Sequence, residues 1–149
     1  MSVIYHTNSE EETLALARKL AEEAKPGDVF ALNGQLGAGK TVFARGFAQG
    51  LGIDAPVTSP TFTILQVYEE GRLPFYHFDI YRISDIMELY DVGFDDYLAG
   101  QGVCMVEWAD MAKVMLPEHT IRVTLVQENP TDAEKRTITV ETQDGDGQA

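Results

Sequence analysis

The chain has 149 residues, which is enough for one hydrophobic core and too few for two ordinary domains, so we expect a single domain. Its composition, 44% hydrophobic and 23% charged, is typical of a folded, soluble protein. The 24 acidic and 11 basic side chains give a formal net charge of −13, which repels a phosphate backbone, and the basic residues are scattered, so direct binding of DNA or RNA is not expected.

The first half of the chain predicts a helix, a strand and a second helix in that order. A capping box that starts at Ser9 is followed by apolar residues at helical intervals, which predicts a helix from about 10 to 24. The apolar run 29–32 indicates a buried strand. Residues 41–51 continue as a second helix with one apolar face, and the two prolines in 53–60 predict a loop.

The second half of the chain is rich in β-prone runs. The predicted strands span 62–68, 75–81, 103–106, 120–126 and 136–141. The first two flank the turn 69–72 and the last two flank 129–132, so we expect two antiparallel pairs. Short helical turns are expected at 84–90 and 94–98. The residues from 142 to 149 predict a disordered tail.

The cysteine content and the N-terminus bear on the compartment. Cys104 is the one cysteine of the sequence, so it cannot form an internal disulfide, and its apolar neighbours predict that it is buried. The N-terminus has no basic stretch followed by a long apolar run. No window approaches the roughly 20 apolar residues of a membrane span. We therefore expect a cytoplasmic protein without a membrane segment.

Residues 34–41 read Gly-Gln-Leu-Gly-Ala-Gly-Lys-Thr, which satisfies the Walker A pattern without a substitution. The glycines let successive N–H groups turn toward phosphate oxygens, and the following helix adds the positive end of its dipole. Lys40 supplies a full positive charge, and Thr41 offers a hydroxyl to Mg²⁺. The alternative is an ordinary glycine turn that caps a helix. The expected nucleotide-binding residues of this segment are Gly34, Leu36, Gly37, Ala38, Gly39, Lys40, Thr41 and Val42.

Two carboxylates are candidates to complete a site for ATP or ADP with Mg²⁺. Glu107 ends the apolar run 103–106, the form expected of a Walker B acid at the end of a central strand. Asp79 shares one face of a predicted strand with His77. Such an acid holds the metal or its water shell, because phosphoryl transfer depends on placement and charge neutralisation. For either acid the alternative is a solvated residue at a strand end.

The loop downstream of the phosphate site contains hydroxyl groups. Thr58, Ser59 and Thr61 are candidates for a switch segment that senses the γ-phosphate, and the alternative is a turn made by Pro60. Trp108 is a candidate to stack on a base or on a partner, or else to lie in the core. No lysine follows an asparagine, so the guanine-specific Asn-Lys-x-Asp pattern is absent from the sequence, which favours ATP over GTP.

Together these motifs resemble the TsaE (YjeE) family, the bacterial ATPases required for threonylcarbamoyladenosine in tRNA. The resemblance runs from about Asn33 to Pro117. It rests on Leu-Gly-Ala-Gly-Lys-Thr at 36–41, Ser-Pro-Thr-Phe at 59–62, His-Phe-Asp-Ile-Tyr-Arg at 77–82, Glu88-Leu89 ahead of Gly93, and Glu107-Trp108. Several separated motifs in one order are more specific than the Walker A pattern alone.

The resemblance implies roles for individual residues. Lys40 and Thr41 would be the Walker A pair, and Thr41 and Glu107 would lie near Mg²⁺. Asp79 would be an essential acid of the switch region. Trp108 would lie beside the nucleotide. Lys40, Asp79 and Glu107 are therefore the expected catalytic residues.

The resemblance also implies a fold and partners. The fold would be α/β, a P-loop NTPase-like mixed β-sheet flanked by helices in three layers, forming one nucleotide-binding domain over residues 1–141. The partners would be the proteins TsaD and TsaB, with ATP binding and turnover resetting their complex between cycles of synthesis. We expect an ATPase that is slow alone, because no arginine is evidently placed to stabilise the transition state. Arg82 is the one candidate near the motifs, and the alternative for it is a structural ion pair.

Two other functions fit a P-loop. A small-molecule kinase also begins with strand, P-loop and helix, but it needs a lid with basic residues, and Lys113 is the one lysine or arginine between 84 and 117. A nucleotide-dependent binding switch with negligible hydrolysis is the other alternative.

Overall fold

A computed structural model of the chain describes residues 1–35, 39–58, 60, 63–127, 131–132 and 134–142. The strands of the described residues are β1 (Ser2–Thr7), β2 (Val29–Gly34), β3 (Leu65–Tyr68), β4 (Phe75–Asp79), β5 (Val103–Glu107), β6 (Ile121–Val126) and β7 (Arg136–Glu141). The helices are α1 (Glu10–Glu22), α2 (Lys40–Gly50), α3 (Ile86–Asp91), α4 (Phe94–Leu98) and a 3₁₀ helix (Ala109–Met115).

The described strands form one mixed sheet in the order β1-β7-β6-β2-β5-β4-β3. The four central strands, β6, β2, β5 and β4, are mutually parallel. The flanking strands are antiparallel to their neighbours: β3 pairs with β4, β7 with β6, and β1 with β7. The carboxyl ends of β2, β4, β5 and β6 therefore meet at one edge, where α/β folds bind ligands.

Helices cover both faces of the sheet. α1 and α2 pack on one face, where Phe43 and Phe47 of α2 meet Phe30 of β2. α3, α4 and the 3₁₀ helix cover the other face, where Phe94 packs on Phe78 of β4. Strand β2 is apolar on both sides because helices bury both its faces. The predicted three-layer arrangement of a mixed sheet flanked by helices is confirmed.

Contact between α1 and α2 depends on two glycines of α2. A Cβ atom added at Gly46 would lie 2.7 Å from the carbonyl oxygen of Leu14, and one added at Gly50 would lie 2.5 Å from that of Arg18. Real side chains essentially never approach backbone so closely. The two helix backbones thus touch, which fixes the direction in which the first turn of α2 points.

Most predicted elements are confirmed, with shifted ends. The first strand of the central hairpin begins at Leu65 rather than 62, and β4 ends at Asp79 rather than 81. β1 and the 3₁₀ helix were not predicted. Cys104 is buried, as expected. Thr142, the first residue of the predicted tail, donates its amide to the Met1 carbonyl at 2.8 Å, and 143–149 lie outside the described residues.

None of the described helices is both long enough and apolar enough to cross a membrane.

Candidate functional site

The Walker A segment joins β2 to α2 at the carboxyl edge of the parallel strands. β2 ends at Gly34 and α2 begins at Lys40, so the strand and the helix predicted on either side of the glycine-rich segment are confirmed. Gly39, the N-cap of α2, has φ of +96°, a region that favours glycine, and no side chain caps the helix. The first amides of α2 therefore keep their donors for a ligand. Residues 36–38, predicted to bind nucleotide, lie outside the described residues.

Lys40 is the first residue of α2, and its side chain is buried, with 7% exposed. Burial lowers the pKa of its ammonium from the ordinary value, and the negative charges of Glu107 and Asp79 oppose that shift. Its Nζ atom lies 3.9 Å from the centroid of the Trp108 ring, a cation–π contact. A positive charge is thus held at the start of α2, where it adds to the helix dipole.

The two candidate carboxylates lie side by side. Asp79 ends β4 and Glu107 ends β5, and the two residues are direct partners in the parallel pairing of these strands. Alternation places both on the face that carries Phe75 and Met105, which is the face covered by α1 and α2. They are 4% and 3% exposed, so neither is a solvated residue at a strand end. Asp79 also accepts a hydrogen bond from the Tyr81 amide at 3.0 Å.

His77 completes this cluster and was not predicted as a site residue. Its Nε2 atom lies 2.6 Å from Oε2 of Glu107, and its ring stacks on that of Phe75. The ring is completely buried. The shared face of His77 and Asp79 was visible in the sequence. Their proximity to Glu107 was not, because it depends on β5 pairing with β4 across 30 residues of chain.

Trp108 adopts an uncommon backbone conformation beside the cluster. Its φ and ψ are 60° and 43°, and among the described residues the one other non-glycine residue with positive φ is Ile64. The ring contacts the Lys40 ammonium and also packs against the ring of Tyr81, whose centroid is 4.7 Å away. The side chain is partly exposed, so it is not simply a core residue. Backbone strain of this kind concentrates at functional sites.

A cavity of about 430 Å³ opens beside Lys40 and Trp108. This volume falls in the range of small-molecule sites. One wall follows the carboxyl ends of β2 and β6, and the other contains the start of the 3₁₀ helix. The lining residues are Asn33, Gly34, Gln35, Lys40, Trp108, Asp110, Thr124, Leu125, Val126 and Gln127.

Some predicted site residues do not line this cavity, and others lie outside the described residues. Thr41 is exposed in the first turn of α2. Val42 is half-buried and lines a separate recess of about 40 Å³. Ser59 and Thr61, the predicted switch residues, lie outside the described residues, whereas Thr58 is described and exposed.

A second arginine, Arg136, lies near the start of α2. A Cβ added at Gly39 would be 3.2 Å from Arg136 Nε, so the start of β7 reaches the start of α2. This proximity could not be predicted, because it depends on the position of β7 in the sheet. Arg82, the arginine singled out by its motif, is exposed.

The described residues contain no group of three or more His, Cys, Asp or Glu side chains that could hold a metal ion. The carboxylates whose negative charges act on Lys40 are those of Asp79 and Glu107. Mg²⁺ is commonly held by one or two carboxylates together with phosphate oxygens and water, rather than by a complete protein cage. The donor set of this site is therefore of the kind that suits Mg²⁺ with a phosphate ligand.

Comparison with known proteins gives consistent matches. The family model described as "Threonylcarbamoyl adenosine biosynthesis protein TsaE" matches residues 7–138. The tRNA threonylcarbamoyladenosine biosynthesis protein TsaE of Bacillus subtilis (strain 168) is 51% identical over 121 residues, which are 81% of this chain and 75% of that protein. The protein of the same name from Treponema pallidum (strain Nichols) is 46% identical over 107 residues, 72% of this chain and 76% of that protein.

A solved structure agrees with these matches. The crystal structure of Bacillus subtilus YdiB has a TM-score of 0.82 and 40% sequence identity, and the match covers 98% of this chain and 88% of that chain. The family model spans most of the sequence, and the relatives share two fifths or more of their aligned residues with it. This chain therefore belongs to the TsaE family.

Proposed function

We propose that this chain binds ATP or ADP with Mg²⁺ and hydrolyses ATP as an accessory protein in threonylcarbamoyladenosine modification of tRNA. The observation that carries the proposal is a buried lysine at the start of α2, which lines a cavity, together with two buried carboxylates at the ends of β4 and β5 whose charges act on that lysine. A lysine at a helix N-terminus suits phosphate, and paired acids suit its metal. The family name supplies the pathway.

In this proposal the phosphates lie at the N-terminus of α2. The first amides of the helix donate to phosphate oxygens, and the Lys40 ammonium moves from the Trp108 ring toward them. A phosphate close to Lys40 favours its charged form, which offsets the effect of burial on the lysine pKa. Phosphate binding thus favours the charged form of Lys40, and the charged form in turn favours phosphate binding.

Thr41, Asp79 and Glu107 would hold Mg²⁺ together with phosphate oxygens. All three offer oxygen atoms, which are the ligands that this cation prefers. When bound, Mg²⁺ neutralises charge that develops on the phosphates. Asp79 and Glu107 are direct partners in the pairing of β4 with β5, and the charges of both act on Lys40, which supports one site that uses them together.

The cavity provides the place for the base and ribose. Trp108 and Lys40 are both part of its lining, so a base can enter beside the indole while the phosphates face α2. Stacking of a base on an aromatic side chain contributes about 1–3 kcal/mol. Adenine is favoured over guanine by the absence of the Asn-Lys-x-Asp pattern from the sequence.

We further propose that turnover is slow in the isolated chain and depends on the proteins TsaD and TsaB. The net charge of −13 disfavours direct contact with tRNA. The tRNA would then be handled by the partners, and this chain would supply a nucleotide-driven step. Stabilisation of the transition-state charge by groups of a partner would explain the dependence.

Phosphate release from ATP, measured for this chain alone and with TsaB and TsaD added, tests the proposal. We expect slow release alone, stimulation by the partners, and loss of both with Glu107→Ala. Lys19→Ala, a lysine exposed on α1, is the matched control and should behave as wild type. Phosphorylation of a hydroxyl-bearing small molecule would instead indicate a kinase. Tight binding of nucleotide without phosphate release, alone or with the partners, would indicate a binding switch.

A further inference from the structure

We propose that His77 is a positioning residue that holds the Glu107 carboxylate in the orientation needed for Mg²⁺. The proposal rests on the nucleotide and metal site described above. His77 does not contact the nucleotide or the metal in this account. It acts through Glu107.

The contact between the two side chains is short and buried. His77 Nε2 lies 2.6 Å from Glu107 Oε2, and the side chains are 1% and 4% exposed. His77 lies opposite Met105 in the pairing of β4 with β5, two positions before the end of β5, so its ring reaches along the strand to the carboxylate. Phe75 stacks on the ring from the preceding position of the same face. The position of His77 in β4 and the stacking of its ring on Phe75 therefore both restrict the direction in which Nε2 points.

The hydrogen-bonding of the ring identifies its tautomer. Nδ1 is buried and has no hydrogen-bond partner in the part of the chain that the structure describes. A buried N–H group without an acceptor is costly, whereas an unprotonated ring nitrogen loses less. The proton therefore lies on Nε2, which donates to Glu107 Oε2. Carboxylates that bind a metal are commonly held in place by a hydrogen bond from a neighbouring group.

This hydrogen bond distinguishes the two oxygens of Glu107. Oε2 accepts from His77, so Oε1 would be the oxygen that remains for a metal ion. A glutamate has three rotatable side-chain bonds, and ordering them on binding costs free energy. Because His77 orders the Glu107 side chain when the protein folds, binding of the metal does not have to order it. The metal affinity of the nucleotide complex should therefore be higher than in a variant that lacks this hydrogen bond.

Three variants separate this role from simple packing. His77→Gln places an amide nitrogen near the position of Nε2 and keeps the donor. His77→Asn keeps polarity but is too short to reach Glu107, and His77→Leu removes the donor and fills the space. Each variant is first checked for a cooperative thermal transition. If the leucine variant does not fold, the glutamine and asparagine variants alone decide.

The experiment measures ADP affinity in EDTA and in Mg²⁺, and the affinity of the ADP complex for Mn²⁺ by electron paramagnetic resonance. We expect His77→Asn and His77→Leu to weaken metal affinity about 10- to 100-fold. ADP affinity in EDTA should be unchanged, and His77→Gln should restore metal affinity to near the wild-type value. A packing role alone would lower thermal stability without this selective loss.

The outcomes that overturn the proposal are distinct. If wild type binds ADP with a clear Mg²⁺ dependence and the asparagine variant does the same, His77 does not position Glu107, while the proposed function stands. If the glutamine variant is as weak as the asparagine variant, the donor is not what matters. If wild type shows no metal-dependent binding of ADP, both the inference and the proposed function fail.

Discussion

Gly50 lies where α2 touches α1, and its replacement by alanine tests whether this contact is as close as the structure indicates. A Cβ at this position would lie 2.5 Å from the Arg18 carbonyl oxygen and 2.7 Å from the Ala21 Cβ. Non-bonded carbon atoms pack best at roughly 3.5–4.0 Å. Both obstacles are backbone or Cβ atoms, so no change of rotamer relieves the overlap. The helices must move apart.

The size of the effect follows from two opposing terms. Overpacking of this kind costs about 1–3 kcal/mol, and contacts this short with fixed atoms belong at the upper end. Alanine is the better helix former by about 1 kcal/mol, which offsets part of the cost. We expect Gly50→Ala to lower the free energy of unfolding by about 2 kcal/mol. A domain of this size typically has about 5–15 kcal/mol, so the variant should still fold.

Urea denaturation followed by circular dichroism measures the difference. Gln49→Ala, an exposed neighbour in the same helix, is the control and should change stability by less than about 0.5 kcal/mol. The reasoning would be refuted if the Gly50→Ala protein were as stable as wild type, or if it were more stable by the roughly 1 kcal/mol that the helix propensity of alanine contributes. It would show that α1 and α2 do not touch at this position.

Three further predictions concern two residues, Cys104 and Arg72. Burial raises the pKa of the Cys104 thiol to about 12, so the folded protein should not react with a thiol reagent at pH 8, whereas the protein in urea should. As pH rises, the thiol ionises in the unfolded chain before it ionises in the folded protein. The contribution of the buried thiol to stability is therefore fully present below about pH 9 and is lost progressively between about pH 9 and 12. The fall in unfolding free energy between pH 8 and 10 should be about 1.5 kcal/mol larger in wild type than in Cys104→Ala, and equal falls would contradict this. Arg72 donates to the carbonyls of Ala21, Glu22 and Ala24 at the end of α1 at 2.7, 3.0 and 2.8 Å, so Arg72→Met should lower stability by about 1–2 kcal/mol in a urea titration. The control Arg45→Met removes an exposed arginine of α2 and should not lower stability. An equal loss with this control would show that the hydrogen bonds of Arg72 to the end of α1 do not stabilise the protein.

The elements that could be predicted are those with a strong local pattern. The capping box at Ser9 and the apolar spacing after it are enough to define α1, whose N-cap Ser9 accepts from the Glu12 amide at 3.1 Å. β1 was missed because the consecutive apolar residues Val3 and Ile4 point to opposite faces, so the strand has no alternation of apolar and polar side chains. The 3₁₀ helix was missed because its short apolar turn has no helical period long enough to recognise.

The candidate site divides in the same way. The Walker A segment is contiguous, so its residues and the order of strand and helix could be identified without a structure. The carboxylates could be named from their positions at strand ends. Their burial, their direct pairing and the contact of Glu107 with His77 could not, because all depend on β4 and β5 being neighbours. Arg136 was hidden for the same reason, since β7 reaches α2 only through the order of strands in the sheet.

The most direct test of the account is the affinity of the purified chain for ATP with and without Mg²⁺, compared between wild type and Lys40→Ala. Isothermal titration calorimetry gives both values, with Lys19→Ala as the control for loss of a lysine. We predict Mg²⁺-dependent binding by wild type and by the control, and a loss of at least about tenfold with Lys40→Ala, since removing a charged partner of phosphate costs about 1.5–3 kcal/mol. Equal affinity of wild type and Lys40→Ala for ATP, or no binding by wild type, would contradict the claim that the start of α2 is a nucleotide site.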